Sequence, residues 1–451
     1  MSLRTVALVC AFAVAICVAT SSLADDLAPA KSTARSTETK TKQDAEEAPA
    51  PEPFSLVRLN RPVPATRAYA PQNADEKANL PDAQPPIDDE NGAATNDENE
   101  LEIVGRILVD QSLDDGSGKY MIEDDCGMLR IIPQDAVRSI VAAPDRTPEE
   151  IGDKLEKKLL DEFGEGFAVR RAGDFIFVSD ASPAYVDWCS RLFVSLNAGF
   201  QKFAEKHELP VKDRAEPLVV VVFATRDAFV RYAAVETPSA NMLSAYYSMQ
   251  TNRVALYDLT LTESGGQYAD SRRKRLTLAE TREILSRPNA AYNVATVVHE
   301  ATHQIAFNRG LFLRTGPNEL WTVEGLSLVF ETPSGRVAQN GWSYRSSFPT
   351  NERMKNLYLR IANPSVALFR KVVEQDGFYQ NIEASYAASW ALFYYLYKRK
   401  PRQLFEYLKI LAEKYPCALY PKEDRIKDFE SVFGDDWEKL ARDVDKFVRK
   451  S

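Results

Sequence analysis

The chain has 451 residues, of which 45% are hydrophobic and 27% are charged, and its formal net charge is −9. This composition is that of ordinary globular proteins and excludes a wholly disordered chain, a collagen and a small disulfide-rich scaffold. The charge is unevenly distributed, because residues 25–100 hold 16 acidic and 8 basic side chains. The remaining mature chain is therefore close to neutral, and no basic domain is available to bind the phosphates of a nucleic acid.

The first 24 residues have the pattern of a secretory signal peptide. Arg4 precedes an apolar run over residues 6–19, and the small residues Ser22 and Ala24 precede the predicted cleavage site. The apolar run is shorter than the roughly 20 residues that a membrane-spanning helix needs. We therefore expect a cleaved signal peptide, export to the periplasm, the cell surface or the medium, and no transmembrane segment in the mature chain.

Three segments of different composition follow the signal peptide. Residues 25–100 contain 10 of the 25 prolines and few large apolar residues, which predicts a disordered linker because little apolar surface is available to offset the entropy of ordering. Residues 101–142 combine alternating apolar residues with turn signals and predict a small β-rich module. Residues 150–451 predict one domain in which strands come first and helices follow, which is typical of the α+β class.

Within the last segment, the elements are predicted in the following order. A hairpin spans residues 167–178, a helix with regular apolar spacing spans 183–206, and the run at 218–223 is a buried strand. A second hairpin spans residues 244–257. Its second strand, residues 253–257, has two interpretations: an edge strand that pairs with an extended substrate, or an internal strand of the sheet. From about residue 280 onward the pattern is mostly helical.

The mature chain keeps three cysteines, Cys126, Cys189 and Cys417. An odd number permits at most one intrachain disulfide, and the sequence does not select the pair. We therefore expect the fold to be stabilised by its apolar core rather than by cross-links.

Two of the three histidines lie in the pentapeptide His299–His303, which has the form H-E-x-x-H. Apolar residues around it recur at helical spacing, and side chains four residues apart on a helix lie one turn apart on the same face. Both imidazoles can therefore ligate one zinc ion, while Glu300 lies beside the metal, where a general base is needed. The alternative interpretation is a helix with two surface histidines that bind no metal.

A catalytic zinc site needs a third protein ligand and an open fourth position. Glu324 follows His303 by 21 residues on a second predicted helix, where Gly325 and Ser327 are small enough to allow close helix packing. This helix is otherwise apolar, so an unpaired carboxylate there would be costly. We predict that Glu324 is the third ligand. Glu331, two turns further on, is equally compatible with a supporting role and with an exposed position.

The two helices resemble those of the gluzincin zinc metallopeptidases, and more narrowly those of the peptidase-MA-like branch, which includes exported bacterial proteins described only as a domain of unknown function. The resemblance is carried by His299–Gln304 with Asn308 and Gly310, by Trp321–Gly325, and by Tyr386–Leu396. It covers about residues 165–445. It implies a gluzincin-like fold, in which a small sheet is followed by a zinc-binding helical part, and it implies that Tyr386 stabilises the oxyanion, as the tyrosine of the aminopeptidase relatives does.

Two departures limit what the resemblance implies. No segment like glycine-x-methionine-glutamate-asparagine precedes His299, and Leu328 stands where thermolysin-like enzymes place an aspartate after the third ligand. We therefore carry over neither aminopeptidase nor thermolysin specificity.

The expected function is hydrolysis of a peptide bond in a peptide or protein substrate by a zinc-activated water, with Glu300 as general base and Tyr386 beside the oxyanion. Two alternatives are a zinc-containing binding or scaffold protein without catalysis, and a zinc hydrolase of a non-peptide amide in cell-wall material. Glu300 argues against the first alternative, because a structural zinc site needs no base. A comparison of protein and cell-wall substrates distinguishes the second.

Overall fold

The structure is a computed structural model that describes residues 54–61, 101–113, 117–144, 146–214, 216–260, 276–332, 341–344, 347–361, 365–375, 381–415 and 417–451. The predicted signal peptide and most of the predicted linker lie outside the described residues. The described part of the chain has an α+β fold with two five-stranded sheets and twelve α-helices. The predicted α+β class and the predicted β-rich module are confirmed.

The N-terminal sheet is antiparallel and has the strand order β4-β3-β2-β1-β5. Its strands are β1 (Ser55–Leu59), β2 (Glu102–Gln111), β3 (Lys119–Asp124), β4 (Leu129–Pro133) and β5 (Val137–Ala142).

Strand β1 corrects the predicted linker. Ser55–Leu59 pairs with β2 on one side and β5 on the other, so the prediction of disorder over residues 25–100 is wrong at these five residues. Val57 and Leu59 alternate along the strand and are both buried in the small core of this sheet. The average composition of a 76-residue segment concealed one short strand with the period-2 apolar pattern that a half-buried sheet requires.

The second sheet has the order β6-β7-β8-β10-β9. Its strands are β6 (Ala168–Ala172), β7 (Phe175–Ser179), β8 (Leu218–Phe223), β9 (Ala245–Ser248) and β10 (Arg253–Tyr257). The three central strands β7, β8 and β10 are parallel, and β6 and β9 are antiparallel edge strands. Every residue of β8 is buried, as expected for a strand covered on both faces. Strand β10 is internal, so its interpretation as a substrate-binding edge is wrong, and the edge beside it is β9.

The helices that surround the second sheet are α1 (Pro148–Phe163), α2 (Pro183–Lys206), α3 (Arg226–Ala234), α4 (Leu278–Leu285), α5 (Ala291–Asn308), α6 (Leu320–Phe330), α7 (Glu352–Arg360), α8 (Val366–Val373), α9 (Ile382–Arg399), α10 (Pro401–Ala412), α11 (Lys422–Phe433) and α12 (Trp437–Lys450). Helix α2 has the predicted bounds. Among the described residues, none of these helices combines the length and apolar character that a membrane crossing requires. Cys126, Cys189 and Cys417 are all free thiols.

Helix α6 is buried along its whole length, and a glycine makes this possible. A Cβ atom on Gly325 would lie 2.6 Å from the Cβ of Phe393 and 3.0 Å from the carbonyl oxygen of Ser389, both on α9. Helices α6 and α9 therefore approach each other more closely than any larger residue at position 325 allows. The sequence predicted that Gly325 allows close packing on the helix that carries His299 and His303, whereas the structure shows that Gly325 packs against α9.

The C-terminal end of α6 is held by aromatic packing. Trp342 stacks on Phe330 with ring centroids 5.0 Å apart, and its indole N–H donates to the Phe330 carbonyl oxygen at 2.9 Å. The same indole packs over Gly199 of α2, where an added Cβ would lie 2.0 Å from a ring carbon. Gly199 is therefore required by the tight fit between α2 and the end of α6.

We expect Gly199→Ala to lower the free energy of unfolding by about 2 kcal/mol, because the clash with a rigid ring outweighs the helix propensity of alanine. Gly152→Ala in α1 is the matched control. Its new Cβ would lie 3.1 Å from Nη1 of Arg171, the end of a long and partly exposed side chain that can shift, so we expect stability to be unchanged or to rise by up to about 1 kcal/mol. Urea unfolding of both variants measures this. Equal effects of the two substitutions would contradict the packing argument.

Candidate metal centre

The structure brings together the three side chains that the sequence predicts as metal ligands. His299 and His303 lie one turn apart on α5, and Glu324 reaches them from α6. The Nε2 atom of His299 lies 3.0 Å from Nε2 of His303 and 3.1 Å from Oε2 of Glu324. Nε2 of His303 lies 3.6 Å from Oε1 of Glu324. All three side chains are buried, and their ligand atoms lie within 4.8 Å of one another.

The other ring nitrogen of each histidine is engaged outside this cluster. Nδ1 of His299 lies 3.0 Å from Oε1 of Glu331, and Nδ1 of His303 lies 3.1 Å from the hydroxyl of Ser327. Contacts of this kind fix the orientation and tautomer of a metal-binding imidazole. They turn both Nε2 atoms toward each other and toward Glu324. A donor set of two imidazoles and one carboxylate in this arrangement fits zinc.

Glu331 has a supporting position, one of the two that the sequence left open. Its carboxylate accepts two hydrogen bonds from Nη2 of Arg353, at 2.7 and 2.9 Å, and a third from the side-chain amide of Asn351 at 3.0 Å. Arg353 and Asn351 were not predicted from the sequence. Asn351 carries the ordinary signal of a helix N-cap, and nothing in the sequence indicates that it also reaches back to α6.

The charges of this group alternate, and the pKa values respond accordingly. Burial disfavours the charged form of His299, but its contacts with Glu324 and Glu331 outweigh that effect and raise its pKa to about 10. Burial and the neighbouring positive charge of His299 lower the pKa of His303. Burial raises the pKa of Glu331, but Arg353 and His299 reverse this and lower it. The cluster therefore favours a positive charge between its carboxylates.

Glu300 is held by a contact with β9, at the edge of the second sheet. The backbone N–H of Tyr247 in β9 donates to Oε2 of Glu300 at 2.9 Å. The side chain is half-buried, whereas the three ligand residues are buried. Burial raises the pKa of Glu300 to about 7, and Glu324 contributes to the rise, while His299 and the Tyr247 N–H oppose it. The glutamate is thus held in one orientation at the more open side of the cluster.

Tyr386 lies in the second turn of α9 and is buried. It precedes Phe393 by seven residues, so the two side chains share one face of the helix. Phe393 is the residue that packs against Gly325, next to Glu324. Tyr386 is therefore on the face of α9 that packs against the helix of the third ligand, and its role at the oxyanion stays a prediction.

A second group of potential ligands, Asp124, Asp125 and Cys126, lies in the N-terminal sheet. Asp124 accepts hydrogen bonds from two backbone N–H groups and from Arg130, and Asp125 accepts from Arg146 and Lys154. Burial raises the pKa of the Cys126 thiol, which opposes the thiolate form that a metal binds. These side chains already have cationic or N–H partners, so we interpret the group as structural.

A comparison with known protein families finds a match in the helical part of the chain. Residues 293–418 match the model of a family described as a protein of unknown function (DUF1570). The matched segment contains all three predicted ligands, Glu300 and Tyr386. No curated protein and no solved structure matches the chain.

We expect Glu331→Gln to lower zinc affinity about 10- to 100-fold, because an amide holds His299 Nδ1 less firmly than a carboxylate does. The affinity is measured by competition with a chromogenic chelator. Glu374→Gln, which removes a carboxylate that pairs with Arg370 one turn earlier, is the matched control and should bind zinc as the parent does. Unchanged affinity in Glu331→Gln would contradict the supporting role.

Proposed function

We propose that the chain is a zinc-dependent peptidase with the fold of a gluzincin, in which a small sheet is followed by a zinc-binding helical part. The observation that carries this proposal is the convergence of His299, His303 and Glu324, with Glu300 held beside them by a backbone N–H. The resemblance of both helices to gluzincin peptidases supports it.

The residues divide into ligands and reacting groups. The zinc ion would be held by the Nε2 atoms of His299 and His303 and by the Glu324 carboxylate. When bound, it supplies Lewis-acid activation of a water molecule. Glu300 accepts a proton from the attacking water and then donates it to the leaving nitrogen of the peptide bond. A pKa near 7 suits a group that must both accept and donate a proton at neutral pH. The Tyr386 hydroxyl donates a hydrogen bond to the oxyanion.

Two features favour catalysis over a purely structural site. Structural zinc sites usually have four protein ligands, whereas three ligand side chains converge here among the described residues. Glu300 is not one of the three converging ligands, so a structural site would not need it. Its side chain is half-buried, whereas the ligands are buried.

The position of β9 favours an extended peptide as the substrate. β9 is an edge strand of the second sheet, and its Tyr247 N–H reaches the proposed base. Edge strands bind extended chains through main-chain hydrogen bonds. A peptide aligned along this edge would have its scissile bond near Glu300.

We expect Glu300→Gln to retain about one zinc per chain and to lower hydrolysis of a generic protein substrate by about 10²- to 10⁴-fold, because only the proton acceptor is lost. Metal analysis and a protease assay measure the two effects, with Glu374→Gln as the control of unchanged activity. The double variant His299→Ala/His303→Ala should lose zinc.

Each other outcome of this experiment has a definite meaning. Full activity in Glu300→Gln would exclude the assigned base, and zinc retained by the double histidine variant would exclude the metal assignment. Zinc without hydrolysis of protein or cell-wall material by the parent would favour the scaffold alternative. Hydrolysis of cell-wall material alone would favour the non-peptide hydrolase.

We expect Tyr386→Phe to lower kcat about 100- to 1,000-fold with little change in KM, because a donor to the oxyanion acts in the transition state. Tyr395→Phe on the same helix, whose ring packs on Phe447, should leave kcat unchanged. Steady-state kinetics on a fluorogenic peptide measure this. A loss confined to KM would assign Tyr386 to substrate binding instead.

A further inference from the structure

One face of α5 is bound to the β9–β10 hairpin at three successive turns. Glu300, Gln304 and Asn308 are four residues apart and therefore lie in one row. Glu300 accepts from the Tyr247 N–H, and the Gln304 amide donates to the Asn252 carbonyl oxygen at 2.9 Å. The side-chain amides of Asn308 and Asn252 donate to each other, at 2.6 and 2.8 Å. The register of the helix on this hairpin thus fixes where Glu300 lies.

The other side of the hairpin turn, residues 249–252, is held by one arginine. Arg314 Nε donates to the Met249 carbonyl oxygen at 3.0 Å, and Nη2 donates to the carbonyl oxygens of Met249 and Gln250. The turn contains Asn252 in a left-handed conformation, with φ 59°. Asparagine adopts this conformation more readily than most other non-glycine residues do.

The same arginine is anchored in the N-terminal sheet. Its Nη1 donates to Glu123 Oε1 at 2.7 Å, and Nη2 donates to the Gly127 carbonyl oxygen at 2.9 Å. Arg214 adds a parallel link, because it donates to both Glu123 and Asn308 at 2.8 Å. The backbone N–H of Leu129 donates to the Gln250 carbonyl oxygen at 2.8 Å. The turn between β3 and β4 is therefore in contact with the hairpin turn beside α5.

We propose that Arg314 is a positioning residue for the hydrolytic reaction and that the N-terminal sheet is a working part of the catalytic unit. Arg314 connects Glu123 to the hairpin turn, the turn fixes β9, and the Tyr247 N–H of β9 orients Glu300. A displacement of about 1 Å at a reacting group can cost about 100-fold in rate. The catalytic part of this inference rests on the proposed peptidase function.

A matched control separates positioning from simple stability. Arg309 and Arg314 are 7% and 8% exposed, and both pair with carboxylates. Arg309 pairs with Asp174 and Asp213, away from the hairpin. Removal of either guanidinium should weaken the fold, but only the loss of Arg314 should release the hairpin turn.

The experiment compares the full chain with Arg314→Met, Arg314→Lys and Arg309→Met, each loaded with zinc. We expect kcat on a fluorogenic peptide to fall about 100-fold in Arg314→Met, with KM and zinc content unchanged, and to fall less in Arg314→Lys, which keeps the charge. Arg309→Met should keep the parental kcat when all variants are assayed at one temperature, chosen low enough that each of them is fully folded. Equal kcat in the two methionine variants would overturn the proposal.

Glu123→Gln tests the contribution of the N-terminal sheet by itself. We expect kcat to fall about tenfold, and the losses in the double variant Glu123→Gln/Arg314→Met to be less than additive, because the two residues share one link, beside which Glu123 has a separate contact with Arg214. Fully additive losses in the double variant would show that Glu123 does not act through Arg314 and would overturn the proposed link to the sheet.

Hydrogen–deuterium exchange gives a readout that does not depend on activity. Amides of residues 245–252 should exchange faster in Arg314→Met than in the parent or in Arg309→Met. Unchanged exchange would overturn the positioning role even if kcat falls. If the zinc-loaded parent hydrolyses no peptide while Arg314→Met shows faster exchange, the peptidase function fails and Arg314 is left with a role in fixing the hairpin alone.

Discussion

The structure depends on one electrostatic constraint, which is the burial of a carboxylate on an apolar helix. Glu324 is 1% exposed, and every residue of α6 around it is buried. A carboxylate in such surroundings is strongly destabilising unless positive charge or hydrogen bonds offset its desolvation. His299 lies between Glu324 and Glu331, and Arg353 follows on the far side of Glu331. The positive charges between and beside the two carboxylates offset their desolvation where α5 and α6 pack together. A divalent cation held by the same atoms would offset it more fully than the single proton of a charged His299.

The two helices that supply the ligands are supported by different means. Helix α6 is held by shape, because Gly325 fits against α9 and Phe330 stacks on Trp342. Helix α5 is held by directed polar contacts, because Gln304 and Asn308 bind the hairpin turn. Shape fixes how closely α6 approaches α9, and hydrogen bonds to the hairpin turn limit the rotation of α5 about its axis. Both matter for the ligand cluster, since a rotation of α5 would separate the histidines from Glu324 even with α6 held in place.

The sequence predicted those features that depend on local periodicity. The bounds of α2 and the buried strand β8 followed from apolar spacing, and the association of Glu324 with the histidine pair followed from the cost of burying an unpaired carboxylate. It did not predict β1, because a five-residue strand is concealed in a long proline-rich and acidic segment. It left the place of β10 open, because strand order in a sheet depends on distant pairing partners. Arg314 was missed for the same reason, as its partner Glu123 is 191 residues away.

The boundaries of the family match bear on what the functional unit is. The matched residues 293–418 include every predicted ligand and Glu300, so this segment carries the whole set of predicted donors. The N–H that orients Glu300 belongs to β9, however, and the carboxylate that anchors Arg314 belongs to β3, and both strands precede the match. Two packed helices are enough to bring the ligands together, whereas a general base must also be oriented toward the reacting water. If Glu300 is the base, the smallest unit that both holds the metal and directs the attacking water includes the second sheet and the N-terminal sheet as well as the matched helices.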